Sequence, residues 1–389
     1  MLSRSNQEGL LRLPSESPAQ RRDASDGYLA RVRYAPIADL KLAIFFLTFD
    51  KSLKFLRLGA TVFRSSVLLV AVFCFATTLA DAAGIQFFDV PAEGTGPRLT
   101  GAVWYPCATR AAQEIRIENK VVFGAKDCEI VGSKLPLIII SHGRMAWFGA
   151  HHDTASALAD AGYMVAAINH PGDNSFDDSR VDNLSVFVER PADITRLLNF
   201  MLGGWSDESK IDHERIGLFG FSMGGYTSLV VIGANPDFRS NLAGCEGNRL
   251  RACEQLRNKE GPTGPPVHDS RVKAAVIVDP STGIFFPAES LKAVNIPVQL
   301  WSSDPKLSKQ FDSGCCGLGI RNRLPLKADF HLATGAIHVS FLAPCSPEEK
   351  KKPEFSRICT DAPDFDRIAF HRDFHSEVLG FFRRNIRKR

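Results

Sequence analysis

The amino-acid sequence predicts an α/β fold: a mostly parallel sheet of about eight strands with helices on both faces. Three observations point there. From Gly84 onward, short β-branched or aromatic runs alternate with longer amphipathic stretches, the order that builds parallel strands joined by crossover helices. The run LPLIIIS at 135–141 is apolar and of strand length. The run ERIGLFGFSMGGYTSLVVIGA at 214–234 passes from an apolar strand pattern to an apolar helix pattern through one glycine-flanked serine, Ser222.

Taken in order, the predicted strands are 85–90, 100–105, 135–141, 164–170, 216–221, 272–279, 298–302 and 329–333. The predicted helices are 150–161, 190–202, 224–233 and 367–384. The first two strands flank the turn Ala92-Glu93-Gly94-Thr95-Gly96-Pro97 and are expected to pair antiparallel. Two irregular stretches, 235–269 and 304–323, break the rhythm. The first is rich in charge, glycine and proline, and is long enough to act as a lid over a site.

Composition narrows the class. A 389-residue chain with 44% hydrophobic and 10% aromatic residues has ample material for a core. Of the 47 Lys/Arg and 43 Asp/Glu, 11 and 7 fall in the first 82 residues, so the remainder is balanced and nothing calls for nucleic acid. The basic tail from Arg383 to Arg389 reads as a solvated helix end. The stretch SSVLLVAVFCFATTLADAA at 65–83 follows basic residues, is apolar for about the length of a signal-peptide core and ends in small residues. It is read as an export signal, cleaved after Ala82 at Ala80-Asp81-Ala82, and gives the chain its expected contact with a membrane.

That reading makes residues 1–82 an N-terminal extension plus signal, with an initiation site further downstream, such as Val62, as one explanation of its length. Residues 83–389 then form a single catalytic domain. Removing the signal also removes Cys74 and leaves eight cysteines, an even number suited to a disulfide-permissive compartment, periplasmic or secreted. The short-range pairings expected are Cys107 with Cys128, Cys245 with Cys253, and Cys345 with Cys359. No C-x-x-C pair or His/Cys cluster with zinc spacing occurs in the sequence, and no metal or cofactor is expected.

The chemistry is sought around Ser222. A bare G-x-S-x-G would occur by chance in roughly one chain of this length in seven, so the flanks carry the inference. A strand runs straight into the serine, and glycines two before and two after remove side chains that would collide in a sharp turn. Such a turn holds the hydroxyl clear of the backbone and aims the amides of a helix N-terminus at any negative charge formed there. A serine hydroxyl needs a base, an acid to orient that base, and donors for an oxyanion.

His338, in GAIHVSFLAPC after the last strand, is the expected base. Two aspartates end strands and compete as the acid, Asp279 in VKAAVIVDP and Asp304 in IPVQLWSSDP. Asp304 follows the penultimate strand and is preferred, with Asp279 the alternative. The backbone amides of Met223 and Arg144 are assigned to the oxyanion hole. Trp147, Phe148, Phe221, His170 and Phe285 are candidates for the substrate pocket.

SHGRMAWFGAHHDTASALADAGYMVAAINHPGDN, GFSMGG and GAIHVSFLAPC together resemble the α/β-hydrolase superfamily, within its exported bacterial proteins similar to dienelactone hydrolase and platelet-activating-factor acetylhydrolase. The resemblance spans nearly all of the chain from Gly84. It implies an α/β-hydrolase fold and a serine esterase acting on a small-molecule or lipid-like ester through an acyl-enzyme intermediate. Dienelactone hydrolases use cysteine as nucleophile where this chain has Ser222, whereas the acetylhydrolases take their acid after the strand ending at Asp279. GFSMGG also resembles the elbow of cutinase-like enzymes, which implies a polyester or lipid-acyl hydrolase as an alternative; a binding protein on an inactive hydrolase scaffold is the rival from another class.

Overall fold

The structure, a computed structural model, describes residues 83–108, 112–239, 242, 251–261, 264–307 and 317–387. The chain divides into units Met1–Phe75 and Ala76–Arg389, and the described residues belong to the second. The expected export signal, Cys74, Cys245, Cys315 and Cys316 lie outside them.

Ten strands form one sheet: β1 (Gly84–Val90), β2 (Leu99–Tyr105), β3 (Gln113–Ile117), β4 (Lys120–Lys126), β5 (Leu135–Ser141), β6 (Met164–Ile168), β7 (Ile211–Phe221), β8 (Val272–Val278), β9 (Val298–Ser303) and β10 (Asp329–Ala333). Their spatial order is β10-β9-β8-β7-β5-β6-β2-β1-β4-β3. From β6 to β10 every neighbouring pair is parallel, while β2 is antiparallel to both β6 and β1. The expected β1–β2 antiparallel pair is therefore present, and the strand count exceeds the expected eight by the hairpin β3–β4 at the sheet edge.

The helices, in chain order, are α1 (His152–Asp160), α2 (Val186–Gly203), α3 (Met223–Val231), α4 (Arg251–Arg257), α5 (Ala288–Leu291), α6 (Gly317–Arg321), α7 (Ser356–Cys359) and α8 (Arg367–Asn385). Alternation along β5 shows how they are sorted. Leu137 and Ile139 join a core completed by Leu197 and Leu198 of α2 and by Tyr226 and Leu229 of α3. Ile138 and Ile140 join the opposite core with Leu158 of α1 and Phe374, Val378 and Phe382 of α8. The period-2 pleat thus feeds two layers of helices. Burying each such large side chain contributes about 1.5–3 kcal/mol.

Helix α2 begins four residues before its predicted start. Pro191 therefore sits in the second turn, where its missing amide would have met the carbonyl of Phe187. That carbonyl accepts the Tyr226 hydroxyl at 3.3 Å instead, so the break in the helix ladder is filled from α3. Disulfides join Cys107 to Cys128 and Cys345 to Cys359, as the spacing suggested. The suggested pair Cys245–Cys253 involves residue 245, outside the described residues. Disulfides form and persist in oxidising compartments. Among the described residues, no helix is long and apolar enough to cross a membrane.

Candidate active site

Strand β7 delivers Ser222 to the carboxyl edge of the sheet. Its φ of 55° lies in the left-handed region that side chains avoid, as a strand-to-helix elbow requires. The turn closes only because its neighbours are glycines: a Cβ on Gly224 would lie 1.9 Å from the Ser141 carbonyl oxygen, and one on Gly220 2.2 Å from the Gly224 carbonyl oxygen. Helix α3 starts at once with Met223, whose amide, like the others of a first helical turn, has no partner within the helix.

Next to β7, strand β8 pairs Val278 with Phe221, so Asp279 emerges beside Ser222. The loop after β10 brings His338 between them. His338 Nε2 lies 2.9 Å from Ser222 Oγ, and His338 Nδ1 lies 2.6 Å from Asp279 Oδ2. A carboxylate accepts only, so Nδ1 carries hydrogen when the imidazole is neutral, leaving Nε2 to accept from the serine hydroxyl. Asp279 is 1% exposed, and its carboxylate also accepts the Ser303 amide at 3.1 Å and the Ser303 hydroxyl at 2.8 Å. The ring of Phe221 stacks on the imidazole of His338 with centroids 4.7 Å apart, fixing its plane from below.

The preference for Asp304 as the partner of His338 is thereby corrected in favour of the alternative, Asp279. Asp304 leaves β9, one strand farther from Ser222, and its two oxygens accept the amides of Lys306 and Gly335 at 3.0 Å each. Those backbone bonds, Gly335 first, hold its carboxyl below the ordinary value. Asp304 fastens the loop that carries His338 rather than touching the imidazole.

The S-H-G loop is held by a buried polar network. Arg190 of α2, 1% exposed, donates from Nη1 to Asp173 Oδ2 at 2.6 Å, from Nε to Thr227 Oγ1 at 3.2 Å, and from Nη2 to the His142 carbonyl. Asp173 Oδ1 in turn accepts the Met145 amide at 2.9 Å. His142 accepts the His170 amide at Nε2, so its Nδ1–H donates to Gly143 O at 2.7 Å. Burial, with Arg190 adding to it, keeps both His142 and His170 well below their ordinary values and neutral. Neither is aimed at Ser222.

His170, one of the expected pocket residues, is fully buried in this network, with Ser141 Oγ 3.0 Å from Nε2 and Asp193 Oδ2 3.1 Å from Nδ1. Burial pushes Asp193 up to about 7, against the pull of Arg196 and Arg190. Because this folded-state value is raised, the native state holds a proton that the unfolded chain releases from about pH 4 upward. Asp193 therefore favours folding below pH 4, and this contribution is lost as pH rises toward 7. An Asp193→Asn variant is expected to gain urea resistance relative to the parent progressively from pH 4 to pH 7; a pH-independent difference would contradict this account.

Over Ser222 opens a cleft of about 920 Å³. Trp147, Phe221 and Phe285 line it, together with Arg144 and Met223. Phe148 does not: it is buried against Trp104 and borders a separate groove beside Phe87. It is therefore a core residue, like His170. Part of the suggested lid at 235–269 is described, and α4 presents Ala252, Cys253 and Leu256 to the cleft. Sequence reasoning missed two further walls. Lys120 and Val121 come from the β3–β4 hairpin, and Glu349, Phe355 and Ile358 come from the segment closed by the Cys345–Cys359 disulfide. The side chain of Arg144 is paired with Asp182.

The chain matches no protein-family model, and a search of curated proteins finds no match. Among solved structures it is similar to a ferulic acid esterase from Streptomyces cinnamoneus, at 19% identity and a TM-score of 0.55, over 81% of this chain and 92% of that one. Weaker likenesses are to an acylaminoacyl peptidase from Pyrococcus horikoshii and an esterase from Pyrobaculum calidifontis. The peptidase is 14% identical with a TM-score of 0.48, over 82% of this chain and 44% of that one. The esterase is 13% identical with a TM-score of 0.41, over 83% and 91%. The fold is thus that of the α/β-hydrolases, carried here on a ten-stranded sheet.

Proposed function

We propose that the chain is an exported, serine-dependent carboxylic-ester hydrolase. The observation that carries the reading is the unbroken line from Asp279 through His338 to the Ser222 hydroxyl at the floor of a cleft. Ser222 Oγ attacks the acyl carbon as His338 Nε2 takes its proton, and Asp279 holds the imidazole in the required tautomer and stabilises the imidazolium. The amides of Met223 and Arg144 receive the charge that grows on the carbonyl oxygen. His338 returns the proton to the departing alcohol, then takes one from a water that attacks the acyl-enzyme and frees the acid.

The apolar walls, Trp147, Phe221, Leu256, Phe285, Leu342 and Ile358, suit a lipid-like or aryl ester. An acid after β8 is the position implied by the likeness to the acetylhydrolases, and it favours that branch over the cysteine-dependent lactone hydrolases. The disulfides Cys107–Cys128 and Cys345–Cys359 suit an oxidising, extracytoplasmic setting. Purified protein is expected to hydrolyse a short p-nitrophenyl ester and to be labelled by a fluorophosphonate at Ser222. Both activities should vanish in Ser222→Ala. Turnover that survives this change, or label mapping to another residue, refutes the assignment.

A further inference from the structure

Away from the cleft, where α1 and α8 share a core, three side chains converge from distant parts of the chain. Asp153 Oδ2 lies 2.6 Å from His371 Nδ1 and 3.3 Å from His375 Nε2. The donor atoms of the three residues all lie within 4.8 Å of one another. His371 and His375 are four residues apart on α8, so both rings fall on one face, toward Asp153 at the start of α1.

The hydrogen bonding implies a cation at this point. His371 Nε2 lies 2.8 Å from the Ser340 carbonyl oxygen, which can only accept, so Nε2 carries hydrogen. Nδ1 then faces a carboxylate oxygen at 2.6 Å. A neutral ring would set two lone pairs against each other there, so a positive charge must sit between them, as a second proton or a metal ion.

Two further facts bear on the metal. The second imidazole, His375, brings Nε2 to 3.3 Å from the same oxygen, with the Thr154 hydroxyl oxygen 3.0 Å away as its other neighbour. Asp153 Oδ1 is buried with no hydrogen-bond partner, although a carboxylate held only by hydrogen bonds would engage both oxygens. A ring nitrogen fixed by donating its opposite N–H to a backbone carbonyl is also how metal-bound histidines are oriented.

We propose that Asp153, His371 and His375 bind a divalent transition-metal ion of the zinc type. Two imidazoles and one carboxylate suit that class of ion. Bonds of about 2.0–2.1 Å place tetrahedral ligands roughly 3.3 Å apart. The His375 contact already has that length, and the His371 contact need open by only a fraction of an ångström. The fourth position falls to water, since the Asp153 and His375 side chains keep 19% and 18% of their exposure. The ion would tie α1 to α8 and, through the Ser340 carbonyl, to the turn that begins at His338. Its role is structural, and the proposal stands apart from the ester-hydrolase reading.

The test uses full-length protein stripped with EDTA, desalted and titrated with Zn²⁺ alone, followed by calorimetry and thermal unfolding. One equivalent is expected to bind tightly and to raise Tm. Because losing an outer-shell partner already costs 10–100-fold in affinity, His375→Ala should weaken binding by about 100-fold or more and abolish the Tm rise. Asp153→Asn should do the same, and His375→Gln provides a milder change at the rim should the alanine variant fold poorly. His338→Ala should bind as the parent does. Absence of stoichiometric binding, binding that survives the His375 changes, or binding lost in His338→Ala, which would put the ion in the cleft, each overturns the proposal.

Discussion

Asp279→Asn is expected to lower kcat on a short acyl ester on the order of 10⁴-fold, whereas Asp304→Asn should leave it within about tenfold. The asymmetry follows from what each carboxylate touches. Asp279 accepts from His338 Nδ1 at 2.6 Å, and an amide in its place can turn its NH₂ toward the ring. That favours the tautomer with hydrogen on Nε2, which cannot take the serine proton. Among the described residues, Asp304 accepts the Lys306 and Gly335 amides, and an asparagine oxygen can retain one of them. Losing the other costs about 1 kcal/mol and loosens the loop without changing the chemistry of the imidazole. Steady-state kinetics on both variants decide the matter, since a collapse in Asp304→Asn with Asp279→Asn nearly intact would reverse the assignment.

Arg190→Met is expected to destabilise the protein by about 3–5 kcal/mol, the cost of stranding a buried charge whose partner has been removed. Asp173 is 1% exposed at its side chain and pairs with Arg190 at 2.6 Å. Against a typical stability of about 5–15 kcal/mol, this is a large fraction of the total. The double variant Arg190→Met/Asp173→Asn removes the stranded charge and should recover part of the loss. It should not recover activity, because Arg190 also holds the His142 carbonyl and Asp173 holds the Met145 amide on either side of Arg144. Urea unfolding of the single and double variants measures the stability, and a single-variant loss below about 1 kcal/mol would mean that water replaces the guanidinium.

The legible parts of the fold were those with a strong local signal. The apolar run bounded β5 correctly, β10 was placed at its observed span 329–333, and the glycines around Ser222 announced the elbow. The β3–β4 hairpin was not legible. Strand β3 is largely exposed, charges obscure the alternation, and the two-residue turn places Glu118, not a glycine, at a φ of 53°. The acid was open because both aspartates end strands and chain order favoured Asp304, after the penultimate strand; the lateral order β9-β8-β7 puts Asp279 next to Ser222. Arg190 looked like an ordinary helix-start residue because its partners, Asp173 and Thr227, lie on other elements. The short 3-10 turns at Glu349–Lys351 and Pro353–Phe355 have no periodicity to read, so their cleft wall was invisible.

The staple between Cys345 and Cys359 has a practical bearing on anyone preparing this protein. It encloses the short turns that supply Glu349, Phe355 and Ile358 to the cleft, yet none of the groups around the Ser222 hydroxyl belongs to that loop. Material made in a reducing cytosol would therefore keep the Asp279–His338–Ser222 array while one rampart of the cleft slackens. On the esterase reading proposed above, such a preparation is expected to process small activated reporters normally and to misjudge bulky acyl chains, so a substrate survey carried out on it would mislead.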